Sequence, residues 1–219
     1  MAEPPGKLSI RRIAALGVAV CLGVLAWRYG VRDQLIPRNF GVVEAGQLYR
    51  AGRLSPSATE KVVRENGIRT IVDLGAYEPG SPEERVAAAT ARALGVERHV
   101  FRLVGDGTGN PNAYVAALRV MGDASRQPVL VHCATGAQRT SGAVCLFRVA
   151  VQKKNLDEVF PESFRYRHDP RDNPRLRTYL DMWSERIVRA YGGAGAAGEA
   201  GLVPGFEAAR DEAGASPEH

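Results

Sequence analysis

A cysteine and an arginine six positions apart are the residues of this sequence best suited to chemistry. Cys133 and Arg139 stand in the segment HCATGAQRTS, residues 132–141. A thiolate is a strong nucleophile, and a guanidinium group offers a fork of N–H donors that matches two oxygens of a phosphate group. The pair therefore predicts a site that binds phosphate and attacks it through sulfur.

The residues between them are expected to form a short loop that turns back into a helix. Such a loop directs backbone N–H groups inward, and the helix dipole adds positive charge, so that a dianionic phosphate and the thiolate of Cys133 are both stabilised. Gly136 permits a backbone conformation that a side chain would resist. The residues expected to bind phosphate are Ala134, Thr135, Gly136, Ala137, Gln138 and Arg139.

Two neighbours of this loop complete the hypothesis, Thr140 as a catalytic residue and His132 as a supporting one. The hydroxyl of Thr140 can donate to the sulfur or to the leaving group. His132 is expected to hold the loop backbone through an imidazole hydrogen bond rather than to act as a base, because a thiolate needs none.

The body of the chain, residues 39–191, alternates short β-rich runs with helical stretches, which predicts an α/β fold with a central, mostly parallel sheet flanked by helices. The predicted strands are residues 47–49, 69–74, 96–103 and 128–132. The predicted helices are residues 57–67, 81–94, 110–125, 139–151, a short one from 155, and 173–191. In open α/β sheets ligands bind beyond the carboxyl ends of strands, which is where the loop after residue 132 lies.

The loop resembles the signature of the protein tyrosine phosphatase superfamily, which is His-Cys, five residues, then Arg followed by Ser or Thr. Here the signature is formed by His132, Cys133, Arg139 and Thr140. The segments LYRAGRL and GIRTIVDL, which begin at residues 48 and 67, are similar to the compact, dual-specificity-like bacterial branch. The resemblance covers residues 39–191 and implies a phosphocysteine intermediate with no metal or other cofactor.

The resemblance also implies an aspartic acid that protonates the leaving oxygen and then activates water. Asp106 is the candidate, because it follows a predicted strand on a glycine-flanked loop 27 residues before Cys133. A glycine-flanked aspartate is also ordinary turn chemistry. Asp123, near a predicted helix end, and Asp73, inside a predicted strand, are less well placed.

The expected substrates are proteins phosphorylated on tyrosine, serine or threonine, or small phosphomonoesters. Ala137 and Gln138 stand where inositide-directed relatives often have lysines, which disfavours a polyphosphorylated inositol. Two alternatives stay open, which are a phosphatase of membrane lipid headgroups and an inactive module that only binds phosphate.

Composition agrees with a globular domain: 45% of the 219 residues are hydrophobic and 24% are charged. The net charge of +5 comes with scattered arginines and no run of basic residues, so no nucleic-acid partner is expected. The basic cluster of residues 165–171 is interpreted as a solvated loop.

Both ends of the chain lie outside the predicted phosphatase domain. Residues 1–31 contain an apolar run, residues 13–27, which predicts a helical membrane anchor, with a secretory signal peptide or a buried core helix as the alternatives. Positive charge flanks both ends of the run, so the side of the membrane is open. Residues 192–219 are rich in glycine, alanine and glutamate, which predicts a disordered tail.

Overall fold

The structure is a computed structural model that describes residues 10–26, 37–193 and 201–214. Its strands are β1 (Gly41–Glu44), β2 (Leu48–Ala51), β3 (Thr70–Asp73), β4 (Glu97–Val100) and β5 (Val129–His132). Its α-helices are α1 (Ile10–Ala26), α2 (Pro56–Asn66), α3 (Pro82–Ala93), α4 (Pro111–Met121), α5 (Gln138–Ala150), α6 (Leu156–Val159) and α7 (Arg175–Gly192). Two 3₁₀ helices cover Phe160–Tyr166 and Glu212–Gly214.

The five strands form one sheet in the order β1-β2-β5-β3-β4. All neighbouring pairs are parallel except β1 and β2, which confirms the predicted mostly parallel α/β sheet. Strand β5 is central, and its last residue, His132, lies opposite Ala51 of β2 and Asp73 of β3. The loop that follows β5 therefore emerges between the ends of two neighbouring strands.

The sheet is covered on both faces. One face carries α2 and α3 over a small core that includes Ile71 and Leu130, and the other carries α4, α5 and α7 over the main core with Val72 and Val131. Successive side chains of a strand point to opposite faces. His132 consequently faces the side of α2 and α3, whereas Cys133 belongs to the main core.

Strand β1 was not predicted, and its sequence explains why. The run GVVE does not alternate apolar and polar residues, which is the pattern of a half-buried strand. In the structure, only Val43 of its four residues is buried. The strand is held by antiparallel pairing with β2 at the edge of the sheet, which is a tertiary contact.

Three predicted helix starts coincide with side-chain caps and a fourth is displaced. The hydroxyl of Ser81 accepts from the N–H of Glu84 at 3.1 Å, and the side chains of Asn110 and Asn155 cap α4 and α6. Helix α2 is capped by Ser55 rather than by the predicted Ser57. Proline suits the first helical position, so Pro56 sets the start two residues earlier.

The prediction of a disordered tail over residues 192–219 was wrong for residues 201–214. Val203 is 1% exposed, and its N–H donates to the side-chain oxygen of Asn112 at 2.7 Å. Farther along, a carboxylate oxygen of Asp211 accepts from the N–H of Val100 at 2.8 Å, at the edge of β4. Composition gave no sign of this because the segment docks through a few specific contacts.

Helix α1 lies in the segment for which a membrane anchor or signal peptide was predicted. It exposes Leu16, Val18, Val20 and Leu22. In the described part of the chain, no helix combines the length and the apolar character that crossing a membrane requires. The predicted spanning helix is thus not supported, and the rest of residues 1–31 lies outside the described residues.

Candidate active site

The loop of residues 132–139 runs from the carboxyl end of β5 into the first turn of α5. Cys133 is 1% exposed, and the backbone N–H of Gly136 donates to its Sγ atom at 3.2 Å. The amino end of α5, a helix of 13 residues, adds the positive end of its dipole at the same place. A negatively charged sulfur, or an oxyanion in front of it, is stabilised by this arrangement.

Successive carbonyl groups of the loop accept hydrogen bonds from residues outside it. The carbonyl of Ala134 accepts from the N–H of Arg53 at 3.1 Å, and that of Thr135 accepts from Nδ2 of Asn39 at 2.8 Å. In a trans peptide the C=O and the following N–H point in opposite directions. Outward carbonyls therefore leave N–H groups turned inward, consistent with the bond from Gly136 to the sulfur.

Gly136 occupies a position where no other residue fits. Its φ angle is +73°, and a Cβ atom there would lie 2.6 Å from the backbone nitrogen of Gly52 and 2.7 Å from the carbonyl carbon of Ala51. Both contacts are with backbone at the end of β2 and directly after it, which cannot move aside as a side chain can. The glycine thus permits both the turn and the close approach.

We expect Gly136→Ala to lower aryl phosphate turnover at least about tenfold and to reduce the melting temperature, since overpacking against rigid backbone costs about 1–3 kcal/mol in addition to backbone strain. Gly46→Ala is the matched control, because Gly46 has the same φ of +73° but nothing within 4 Å of its Cβ position. Equal effects of the two substitutions on turnover would contradict a role for close packing at Gly136.

Arg50 supports the loop from within the protein. It is fully buried, and its Nη2 atom donates to the carbonyl of Gly136 at 2.7 Å and to the hydroxyl of Ser141 at 2.9 Å. Its guanidinium carbon lies 3.7 Å from the centre of the Tyr166 ring. Burial lowers the pKa of Arg50 to about 10, which still leaves it charged at neutral pH. Arg50 belongs to the segment LYRAGRL, but the sequence indicated only a structural role for it and none in the site.

Arg139 is oriented by the loop that follows β3. Its Nη1 atom donates to the carbonyls of Leu74, at 3.1 Å, and of Gly75. Its Nε atom is buried and has no hydrogen-bond partner among the described residues. A buried N–H without a partner is costly, so this atom is available to an oxyanion bound in the loop.

Thr140 and His132 flank the loop at its two ends. The hydroxyl of Thr140 is buried without a partner in the described structure, and the role predicted for it as a donor to sulfur or leaving group stays a prediction. Nε2 of His132 lies 3.8 Å from Oδ2 of Asp73. Burial lowers the pKa of His132, and Asp73 offsets this only in part, so the imidazole is neutral at neutral pH. Its predicted role in holding the loop also stays a prediction.

Asp73 is closer to the loop than the sequence suggested but is not suited to be the acid. Burial acts to raise its pKa, but His132, Arg98 and the N–H of Ala76 outweigh that effect and lower it. Its Oδ2 atom accepts from Nη2 of Arg98 at 2.7 Å, and its Oδ1 atom accepts from Ala76 at 2.6 Å. The carboxylate is therefore ionised and fully engaged.

Asp106 lies on a loop that touches the end of the phosphate-binding segment. A Cβ atom on Gly107 would come within 3.4 Å of the backbone of Gln138. The carboxylate accepts from the N–H of Thr108 at 3.0 Å and from its hydroxyl at 2.7 Å, and it lies 3.4 Å from Nη1 of Arg175. Burial acts to raise the pKa of Asp106, but these contacts with Thr108 and Arg175 lower it overall.

Two residues of the basic cluster 165–171 contact the phosphate-binding loop or a residue that holds it, whereas its three arginines are exposed, as expected of a solvated loop. His168 is 3% exposed, and its Nδ1 atom lies 3.1 Å from Oε1 of Gln138. Nδ2 of Asn39 bridges the carbonyls of Thr135 and Tyr166, at 2.8 and 3.2 Å. Because these residues are distant in sequence from Cys133, no local pattern could have identified them.

The comparison with protein families agrees with the geometry. Residues 38–175 match the model of a family described as DSP-PTPase phosphatase fused to NAD+ kinase. The chain belongs to the protein tyrosine phosphatase superfamily. Within that superfamily the chain is related to the dual-specificity phosphatases, as its sequence resemblance implied.

One curated relative of this chain comes from Yarrowia lipolytica and is provisionally named the tyrosine-protein phosphatase OCA1. The two are 36% identical over 162 residues, which is 71% of this chain and 60% of the relative. The chain thus spans about 60% of the length of that protein.

Two solved structures show the same fold. The core catalytic domain of the PP-IP phosphatase SIW14 from S. cerevisiae has a TM-score of 0.55 and 23% identity, and covers 69% of this chain and 91% of its own. TpbA from P. aeruginosa has a TM-score of 0.56 and 18% identity, over 71% of this chain and 91% of its own. Within residues 10–26, 37–193 and 201–214, no group of side chains is arranged to hold a metal ion.

Proposed function

We propose that this phosphatase hydrolyses phosphomonoesters through a phosphocysteine formed on Cys133. The observation that carries the proposal is the N–H of Gly136 at 3.2 Å from the buried Sγ atom, at the amino end of α5. A backbone donor and a helix dipole directed at this atom stabilise negative charge at the position where phosphate is attacked. The unpartnered Nε atom of Arg139 supports the same proposal, because it offers a phosphate oxygen a donor.

The proposed reaction has two displacements at phosphorus. In the first, the sulfur of Cys133 attacks, the bond to the ester oxygen breaks, and Asp106 gives its proton to the leaving oxygen. In the second, Asp106 takes a proton from water, the hydroxide displaces the sulfur, and inorganic phosphate is released. The N–H groups of residues 134–139 and the guanidinium of Arg139 stabilise the charge on the equatorial oxygens throughout.

Asp106 must leave its present contacts to act in this way. Its pKa is lowered by Thr108 and Arg175, so the carboxylate is ionised at neutral pH and cannot donate a proton. Since a general acid works only when protonated, the part of the rate that depends on Asp106 increases as the pH falls towards that pKa, unless substrate displaces Thr108 and Arg175.

We expect Asp106→Asn to lower kcat about 10²-fold for an alkyl phosphate, whose leaving group needs a proton, and much less for p-nitrophenyl phosphate. The rise of kcat towards acidic pH should be lost as well. Asp123→Asn is the control, because Asp123 accepts from the N–H and hydroxyl of Ser125, at 2.9 and 2.6 Å, in the same kind of turn. If Asp106→Asn and Asp123→Asn show the same kcat values and the same dependence of kcat on pH, Asp106 is a turn residue and not the general acid.

We propose proteins phosphorylated on tyrosine, serine or threonine as the substrates. The alternative of a membrane lipid headgroup, of phosphoinositide type, gains support from the exposed apolar residues of α1 and from the exposed Arg53 beside the loop. We also propose that residues 1–31 tether the protein to a membrane, and we do not specify the side. Because the yeast protein SIW14 is a PP-IP phosphatase, an inositol pyrophosphate is a third substrate to test.

The test measures turnover of p-nitrophenyl phosphate by the full chain under reducing conditions, with vanadate as inhibitor. We then compare kcat/KM for a phosphotyrosyl peptide, a phosphoinositide in vesicles and an inositol pyrophosphate. At least about tenfold preference for the peptide is expected. A chain that binds vanadate without turning over any substrate would instead be a phosphate-binding module.

A further inference from the structure

A cavity of about 480 Å³ lies on the face of the sheet that carries α2 and α3. Its floor is formed by Ile71 of β3 and Leu130 of β5, and its walls include Val86 and Ala87 of α3. Small-molecule sites in proteins have volumes of about 300–1,000 Å³ and mostly apolar linings. The size and lining of this cavity are those of a ligand site.

The cavity is distinct from the candidate active site. Its lining includes His132 but none of residues 133–139. His132 and Cys133 are neighbours in sequence, yet their side chains lie on opposite faces of the sheet. A molecule in the cavity would therefore lie on the face of the sheet opposite to the nucleophile.

The lining of the cavity carries a net positive charge. Arg38, Arg53 and Arg98 line the cavity, together with a single carboxylate, Glu83. Arg98 is engaged by Asp73 at 2.7 Å. Within the described residues Arg38 and Arg53 form no salt bridge, and both are exposed at the rim. The charge available to a ligand is thus carried mainly by these two arginines.

One buried polar atom of the lining has no hydrogen-bond partner in the described structure. It is Nε of Arg98, whose side chain is only 8% exposed. Buried nitrogen atoms are nearly always satisfied in folded proteins. A ligand with a polar head beside Arg98 would give this atom a partner.

We propose that this cavity binds a free, single-chain anionic amphiphile, with its apolar chain over Ile71 and Leu130 and its anionic head at Arg53 and Arg38. The apolar floor excludes a compact polyanion, because such a ligand would leave the floor uncovered and lose hydration without compensation. The arginines favour an anionic head over a neutral one. Binding here needs no catalytic turnover, so its test is independent of the proposed function.

The test titrates the full chain with decanoate by isothermal calorimetry, below the micellar concentration, using Ala87→Phe and Ala89→Phe variants. Ala87 lines the cavity, whereas Ala89 is exposed on the same helix. We expect one site with a Kd below about 1 mM, weakened at least about tenfold in Ala87→Phe and unchanged in Ala89→Phe. Equal binding by the two variants, or none by the wild type, would overturn the proposal.

A second comparison tests the role of charge. Decan-1-ol has the same chain as decanoate without the negative charge, and Arg53→Gln removes the matching positive charge. We expect the alcohol to bind the wild type at least about tenfold more weakly than decanoate does. In Arg53→Gln the ratio of the two Kd values should be smaller. Equal affinities for the acid and the alcohol in the wild type would contradict the assignment of an anionic head.

Discussion

Replacement of Cys133 by serine is expected to lower aryl phosphate hydrolysis at least about 10³-fold, because a hydroxyl is not ionised at neutral pH and attacks phosphorus poorly. The substitution changes one atom, so the loop and its N–H donors are retained. We therefore expect the variant still to bind inorganic phosphate, measured by calorimetry, with at most about a tenfold change in affinity.

Cys145→Ser is the matched control for that experiment. Cys145 is also buried, but its Sγ atom donates to the carbonyl of Val159 at 4.0 Å, and burial raises its pKa to about 12. It is therefore a thiol with no reason to react. We expect Cys145→Ser to keep the wild-type turnover per folded molecule. If Cys133→Ser also keeps that turnover, Cys133 is not the nucleophile.

Replacement of Arg139 by lysine is expected to reduce kcat/KM about 10²-fold or more, although the charge is retained. Nη1 of Arg139 is occupied by the carbonyls of Leu74 and Gly75, so the guanidinium can bridge that backbone and a phosphate at the same time. An ammonium group is a single point of charge and cannot do both. Loss of one such preorganised donor typically costs about 10²–10³ in rate.

Arg148→Lys on the same helix provides the comparison. Arg148 also uses its fork, with Nε at 2.6 Å and Nη2 at 3.1 Å from the carboxylate of Glu162. We expect this variant to lose thermal stability while its kcat/KM changes less than about threefold, since nothing in Arg148 reaches the loop. If Arg139→Lys behaves in the same way, Arg139 is a structural residue.

The fold class and the main elements could be predicted because their signals are local. The caps at Ser81 and Asn110, the apolar run before His132 and the helical pattern after Arg139 each depend on residues a few positions apart. Strand β1 and the docked segment of residues 201–214 could not be predicted, because pairing and packing with distant residues hold them in place.

The loop itself shows the same division. Cys133, Gly136 and Arg139 are recognisable because a short phosphate-binding loop requires these residue types at this spacing. What supports the loop comes from elsewhere in the chain: Arg50 from β2, Asn39 before β1 and His168 after the first 3₁₀ helix.

By itself, the sequence determined which atoms can react and in which kind of fold, since both follow from residue type and short-range spacing. The tertiary structure alone decided how they are held. The carboxylate of Asp73 accepts from the N–H of Ala76, and that of Asp106 accepts from the N–H of Thr108. The guanidinium group of Arg50 donates to the carbonyl of Gly136. The tertiary structure also leaves a charged cavity, which His132 helps to line. The physical reason is that hydrogen bonds and burial depend on which segments meet in space, and β5 brings together segments about 80 to 90 residues apart.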